Sequence, residues 1–178
     1  MTDSQVAPPE TIHLEFLRLA LAEARKCVPT STAFCVGAVI TIQGAGQSKP
    51  MVLATGYSRE LPGNTHAEAN ALAKARSLSP EDILSIDPSL PFGISIEQLL
   101  SHCDIYTTME PCSIRTSGLA PCADALVAAR IRTCYIGVGE PSDFVKCEGA
   151  QRLRDAGIEV RWMEGLEKEC LDVARMGH

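Results

Sequence analysis

Apolar and polar positions alternate along this chain with two periods, and the switch between them predicts its elements. Ile12, Leu14, Phe16, Leu17, Leu19, Ala20, Leu21 and Ala24 fit one face of a helix from about Thr11 to Lys26, which Pro29 ends. Residues 1–10, with Pro8 and Pro9, read as a loose tail. Val36–Ile42 is rich in β-branched residues and predicts a strand. Gly44-Ala45-Gly46 is turn chemistry, and Met51–Tyr57 supplies the return strand of a hairpin. Alanines dominate a predicted helix from His66 to Arg76. Residues 79–93 carry Pro80, Pro88, Pro91 and Gly93 and read as an excursion between elements. Ile96, Leu99 and Leu100 allow a short helix after it. Beyond it strands and helices alternate: strand 104–108, helix 121–130, strand 132–138, helix 146–156, strand 157–163 and helix 166–175. A hairpin followed by alternating elements predicts an α/β fold of three layers, with a mixed sheet covered by helices on both faces.

With 178 residues and no internal repeat or linker, the chain is expected to form one domain over residues 1–178. The apolar fraction of 46% suits a globular core, and no run approaches the ~20 apolar residues of a membrane helix. The formal charge is −6 and no basic stripe occurs. That argues against a grip on long nucleic acid and for a small substrate. The polar start Met1-Thr2-Asp3-Ser4-Gln5 lacks the features of a secretory signal, so a cytoplasmic setting with reduced thiols is expected. The eight cysteines are then not a disulfide framework, and most, such as Cys35 and Cys134, read as small buried hydrophobes.

Three positions stand apart. Thr65-His66-Ala67-Glu68 opens a predicted helix, Glu110-Pro111-Cys112 follows a strand, and Pro121-Cys122 opens a second helix. One imidazole and two thiolates suit zinc, and three protein ligands leave a fourth position for water. Glu68, two residues past His66, would lie beside the ion without ligating it, where a carboxylate moves protons. Each piece also has an ordinary reading. Thr65 to Glu68 fits a capping box, with Thr65 as N-cap and Glu68 reaching back. The cysteines could be core thiols. Their joint occurrence favours the metal.

The His-x-Glu and Pro-Cys elements match the zinc deaminase pattern, although nine residues instead of two separate the cysteines. The long form Thr107–Cys122 resembles the deaminases of fungal riboflavin biosynthesis, as do Gly137–Gly149 and Leu153–Val160. The resemblance covers about residues 12–165. It implies the cytidine-deaminase-like fold with a five-stranded mixed sheet, a homodimer, and zinc (Zn2+) on His66, Cys112 and Cys122 with Glu68 as the catalytic acid and base. It also implies the substrate 2,5-diamino-6-ribitylamino-4(3H)-pyrimidinone 5′-phosphate, a phosphorylated ribitylaminopyrimidine deaminated at C2. Asn64 and Glu110 are candidates to face the ring, or to shape a turn and brace a loop. Ser113, Arg115, Ser117 and Lys146 are candidates for the substrate and its phosphate. Two rivals stay open: a nucleoside, nucleotide or tRNA base deaminase, and a non-catalytic zinc-stabilised scaffold. The latter would want a fourth ligand, for which His102 and Cys103 are the nearby spares, expected at the far end of their strand.

Overall fold

The structure is a computed structural model, and it describes residues 9–44, 46–115, 118–141 and 147–178. Five strands form one sheet: β1 (Gly37–Ile42), β2 (Met51–Tyr57), β3 (Cys103–Met109), β4 (Thr133–Val138) and β5 (Glu159–Trp162). Their order is β2-β1-β3-β4-β5. β1 runs antiparallel to both β2 and β3, whereas β3, β4 and β5 are parallel. The mixed sheet expected from sequence is present. β1 and β3 are buried at every position, so neither shows a solvent-facing polar alternation, and Thr41, Asp104, Thr107 and Thr108 are buried along with their apolar neighbours.

Helices cover both faces. On one lie α1 (Pro9–Ala24) and α7 (Glu167–Ala174), whose Phe16, Leu17, Cys170 and Val173 pack with Val39, Tyr106 and Tyr135. On the other lie α2 (Ala67–Arg76), α5 (Cys122–Ala128) and α6 (Gly149–Asp155). Their Ala71, Leu72, Leu126 and Leu153 pack with Ile40, Ile105 and Ile136. The alternate side chains of β1 serve different layers, Ala38 and Ile40 one and Val39 the other.

Element ends differ from the sequence reading in ways with local causes. α1 begins at Pro9, so residues 9 and 10 are helical instead of tail; proline suits a first helical turn, where no N–H partner is needed. The excursion holds a helix, α3 (Pro80–Ile86), closed by reciprocal capping bonds between Ser79 and Asp82. The same device, Ser95 with Gln98, starts α4 (Ile96–Leu100). Ile83 buries into the core, and the fully buried Asp87 accepts from the N–H and hydroxyl of Ser89 and from Gln47 beside the β1–β2 turn. Residues 79–99 therefore brace the hairpin end of the sheet. Gly56 is required for close approach: a Cβ there would sit 2.3 Å from the Ala67 carbonyl oxygen and 2.5 Å from the Ala71 nitrogen. This contact presses α2 onto β2 and fixes the start of α2 over the sheet.

Candidate active site

The start of α2, the loop after β3 and the start of α5 meet at one end of the sheet. His66 is the residue before α2, extended at φ −99° and ψ 157°, and it makes no side-chain cap. The capping-box reading of Thr65 and Glu68 is therefore corrected. The Thr65 hydroxyl donates to the Leu61 carbonyl and accepts from Asn70, while Glu68 turns inward. There it is 3% exposed, and an oxygen of its carboxylate accepts from the Thr107 hydroxyl at 3.1 Å.

The long cysteine spacing is resolved by the backbone. Ala123 N–H donates to the Cys112 carbonyl at 3.1 Å, and Cys122 N–H donates to the Cys112 sulfur at 3.3 Å. Cys112 thus takes two of the N–H groups that the first turn of α5 leaves unpaired, which holds the two thiols together despite their spacing in sequence. The His66 Nδ1 atom stands 3.5 Å from the Cys112 sulfur and 3.4 Å from the Cys122 sulfur. A tetrahedral ion at ordinary zinc–nitrogen and zinc–sulfur bond lengths separates such donors by about 3.6 Å. Donor chemistry and spacing both fit a metal. Among the described residues these three form the one cluster of ligating type, with donor atoms within 4.8 Å of one another. Cys103 lies at the opposite end of β3, its thiol on the Leu99 carbonyl, and adds nothing to the trio.

Electrostatics agree with that donor set. The hydrogen bond from Cys122 is the main reason the Cys112 thiol falls to about 4, with His66 helping. Cys122 is pushed up, first by its bond to Cys112 and then by burial. A cation held by this trio would favour the thiolate form of both cysteines. Burial raises the Glu68 carboxyl, and the Cys112 charge adds to the effect.

A cavity of about 170 Å³ opens on the trio, lined by His66, Glu68 and Cys112 and walled by Phe34, Asn64, Met109 and others. That volume is below the ~300 Å³ at which pockets for whole drug-sized ligands begin. It suits one ring, with any tail lying outside.

Of the remaining sequence candidates, Asn64 and Glu110 line this cavity. Glu110 also braces, accepting from Ala150 N–H at 2.9 Å. Arg115 reaches from the cysteine loop to donate to the Asn64 carbonyl, which puts it at the cavity mouth. Ser113 does not line the cavity; its buried hydroxyl accepts from Glu148 N–H. Ser117 and Lys146 lie outside the described residues. Sequence reasoning passed over Glu140, Arg59 and the segment 32–36. Glu140 lines the cavity half-buried, its carboxyl raised by burial. It follows the carboxyl end of the parallel strand β4, the place where ligands collect in α/β sheets, and that signal was readable. No comparable signal marks Arg59.

Comparison with known proteins agrees with this geometry. Residues 10–138 match the family described as the cytidine and deoxycytidylate deaminase zinc-binding region. The diaminohydroxyphosphoribosylamino-pyrimidine deaminase of Schizosaccharomyces pombe is 42% identical over 166 residues, 93% of this chain and 36% of that protein. The riboflavin biosynthesis protein RibD of Actinobacillus pleuropneumoniae is 32% identical over 160 residues, 34% of its length. The chain thus spans about a third of the curated relatives it matches. Among solved structures, the Rib2 deaminase of Aspergillus oryzae (a C-terminal deletion mutant) superposes with a TM-score of 0.74 at 36% identity, over 93% of this chain and 92% of that one. The same enzyme in complex with DARIPP gives 0.72 at 32% identity. Because the matched region runs from the first helix to the end of β4 and takes in every donor atom of the trio, the chain belongs to the cytidine and deoxycytidylate deaminase family.

Proposed function

We propose that this chain is a zinc-dependent aminohydrolase of riboflavin biosynthesis that deaminates 2,5-diamino-6-ribitylamino-4(3H)-pyrimidinone 5′-phosphate. The observation that carries the reading is a buried carboxylate, Glu68, beside a His/Cys/Cys trio in a ring-sized cavity. Two relatives support the substrate class: one is named a diaminohydroxyphosphoribosylamino-pyrimidine deaminase and another is solved in complex with DARIPP.

His66, Cys112 and Cys122 hold the ion. When bound, zinc lowers the pKa of a coordinated water and so supplies a nucleophile near neutral pH. Glu68 would take one proton from the attacking water and pass it to the ring nitrogen as the C–O bond forms, then carry the second proton from the new hydroxyl to the amine as the C–N bond breaks, so the carbon keeps the oxygen and ammonia leaves. Its carboxylate, buried beside the trio, stands where a group can serve first as base and then as acid. Thr107 holds the carboxylate in place from the sheet. Glu110 and Glu140 present acceptors to a ring edge rich in N–H donors, which cytidine lacks at the corresponding carbon. Asn64 and Arg115 flank the mouth, where the ribityl phosphate emerges; Ser113, Ser117 and Lys146 remain candidates for the tail.

The chain is taken as one deaminase unit that pairs as a homodimer in the cytoplasm. Among the described residues no helix is long and apolar enough to cross a membrane. The test is incubation with the diaminopyrimidinone phosphate, cytidine, deoxycytidylate and tRNA, following ammonia release. Turnover of the pyrimidinone alone is expected; turnover of cytidine without it overturns the substrate. Light scattering checks the dimer.

A further inference from the structure

One wall of the cavity is an irregular segment, residues 28–36, whose Thr32, Phe34 and Val36 line it together with His66 and Cys112. The wall beside it is the loop 59–65, which carries Asn64 two residues before His66. Neither segment belongs to the sheet, so its backbone groups must find partners elsewhere. A single residue serves both. Arg59 N–H donates to the Thr65 carbonyl at 2.6 Å and closes the loop that carries Asn64. Its guanidinium donates to the Phe34 carbonyl at 3.0 Å and to the Val28 carbonyl at 2.9 Å, with the Cys35 sulfur at 3.3 Å. Among the described residues it makes no ion pair with a carboxylate. Its Nε–H is buried without a partner.

The backbone at Arg59 is also unusual. Its φ of +63° lies in the left-handed region, which a side chain with a Cβ adopts against steric resistance. Strain of this kind persists where the surroundings over-determine it, and here they do so beside the cavity. The preceding residue, Ser58, pairs with Val36 through its N–H and hydroxyl, so the sheet-like register ends immediately before the turn. The far side of the segment is held separately, by Cys35 N–H on the Ala174 carbonyl. Loss of the guanidinium therefore loosens the wall without releasing it.

We infer that Arg59 is a positioning residue for substrate recognition: its backbone sets the Asn64 loop and its guanidinium sets the Phe34 wall, so together they fix the width of the slot that takes the ring. The inference rests on the proposed function for its substrate but not for its geometry. A residue that sets width acts on binding, because the ion and Glu68 are held by α2, α5 and β3 and not by Arg59.

The experiment compares Arg59→Gly and Arg59→Lys with the wild type. Glycine relieves the positive φ and keeps the backbone N–H; lysine keeps the charge but has no fork to span two carbonyls. Metal content, Tm, kcat and KM for the diaminopyrimidinone phosphate, and amide exchange are measured on each. In Arg59→Gly, KM is expected to rise at least about tenfold with kcat within about threefold and metal unchanged. Exchange at residues 28–36 should speed up while residues 67–76 stay as in the wild type. Lysine should fall between. A purely structural brace predicts a lower Tm with KM unchanged, and that result overturns the inference, as does loss of metal or a fall in kcat alone. If the glycine variant does not fold, the lysine variant decides by the same KM criterion. If wild-type protein fails to turn over the pyrimidinone, the substrate assignment fails; the exchange arm then judges Arg59, and unchanged exchange at 28–36 overturns its role.

Discussion

Replacing Glu68 with glutamine changes one oxygen to an amide nitrogen and little else. The remaining carbonyl oxygen can still accept from the Thr107 hydroxyl, which stands 3.1 Å from the carboxylate, and the side chain keeps its volume in a site that is 3% exposed. The amide would neither take a proton from water nor return one. A positioned general acid or base contributes about 10²–10⁴ in rate, and Glu68 handles the proton in both directions. A fall in kcat of about 10³–10⁴ is expected, equal to about 4–5 kcal/mol of barrier. In the metal-free protein, stability should move the other way. Burial raises the Glu68 carboxyl, so the fold binds its proton more tightly than the unfolded chain does. That contribution is present at low pH and lost as pH rises toward the raised value, leaving a neutral amide no worse than the carboxylate near pH 7. The assay is ammonia release at saturating substrate, with metal content by atomic emission and Tm by calorimetry. A variant with full metal and kcat within tenfold of wild type refutes the proton role; a variant without metal refutes the view that Glu68 stands beside the ion and is not a ligand.

Chelation should abolish turnover, and zinc added back should restore it, followed by ammonia release; activity that survives in demonstrably metal-free protein would refute the metal role of the trio. Gly56→Ala would drive a methyl into the Ala67 carbonyl and the Ala71 nitrogen. It should destabilise by about 1–3 kcal/mol in urea melts and lower kcat as well, because α2 carries the site. Glu140→Gln should raise KM for the pyrimidinone more than it lowers kcat, since the carboxylate lines the cavity without joining the trio; equal losses in both would place it in the chemistry. His13 lies 4.4 Å from the Tyr135 ring and 2.7 Å from the Tyr106 hydroxyl, and burial lowers its pKa below 6.5. The unfolded chain then binds the proton more readily, so this part of the stability is present above pH 6.5 and lost as pH falls through the lower folded value. Tm measured from pH 7.5 to 5 should drop more steeply in wild type than in His13→Gln, and parallel curves would refute the assignment.

Sequence pattern reached the order and type of most elements because apolar periodicity is a local property. Strands 36–42 and 51–57 and the helix after His66 were legible for that reason. α3 was not, because prolines at 80, 88 and 91 read as breakers. Yet Pro80 occupies a first helical turn, and the Ser79–Asp82 cap supplies what the short helix needs. Local reasoning also offered a capping box at Thr65–Glu68 that is absent. A buried carboxylate has more to gain from Thr107, distant in sequence, than from an N–H two or three residues back.

His66, Glu68, Cys112 and Cys122 were named by residue chemistry and spacing alone, since few combinations of imidazole, thiols and carboxylate at helix starts have another use. What the sequence could not contain is how sulfurs ten positions apart come together; that is decided when the first N–H groups of α5 find Cys112 as their acceptor. The cavity walls were likewise beyond it. Phe34, Arg59 and Glu140 come from separate segments and carry no shared periodicity, and only the packing of α2 against Gly56 and the end of the sheet brings them to one ring-sized space. Ligand identity is a property of side-chain chemistry, whereas the shape of a site belongs to contacts between residues that sequence does not place side by side.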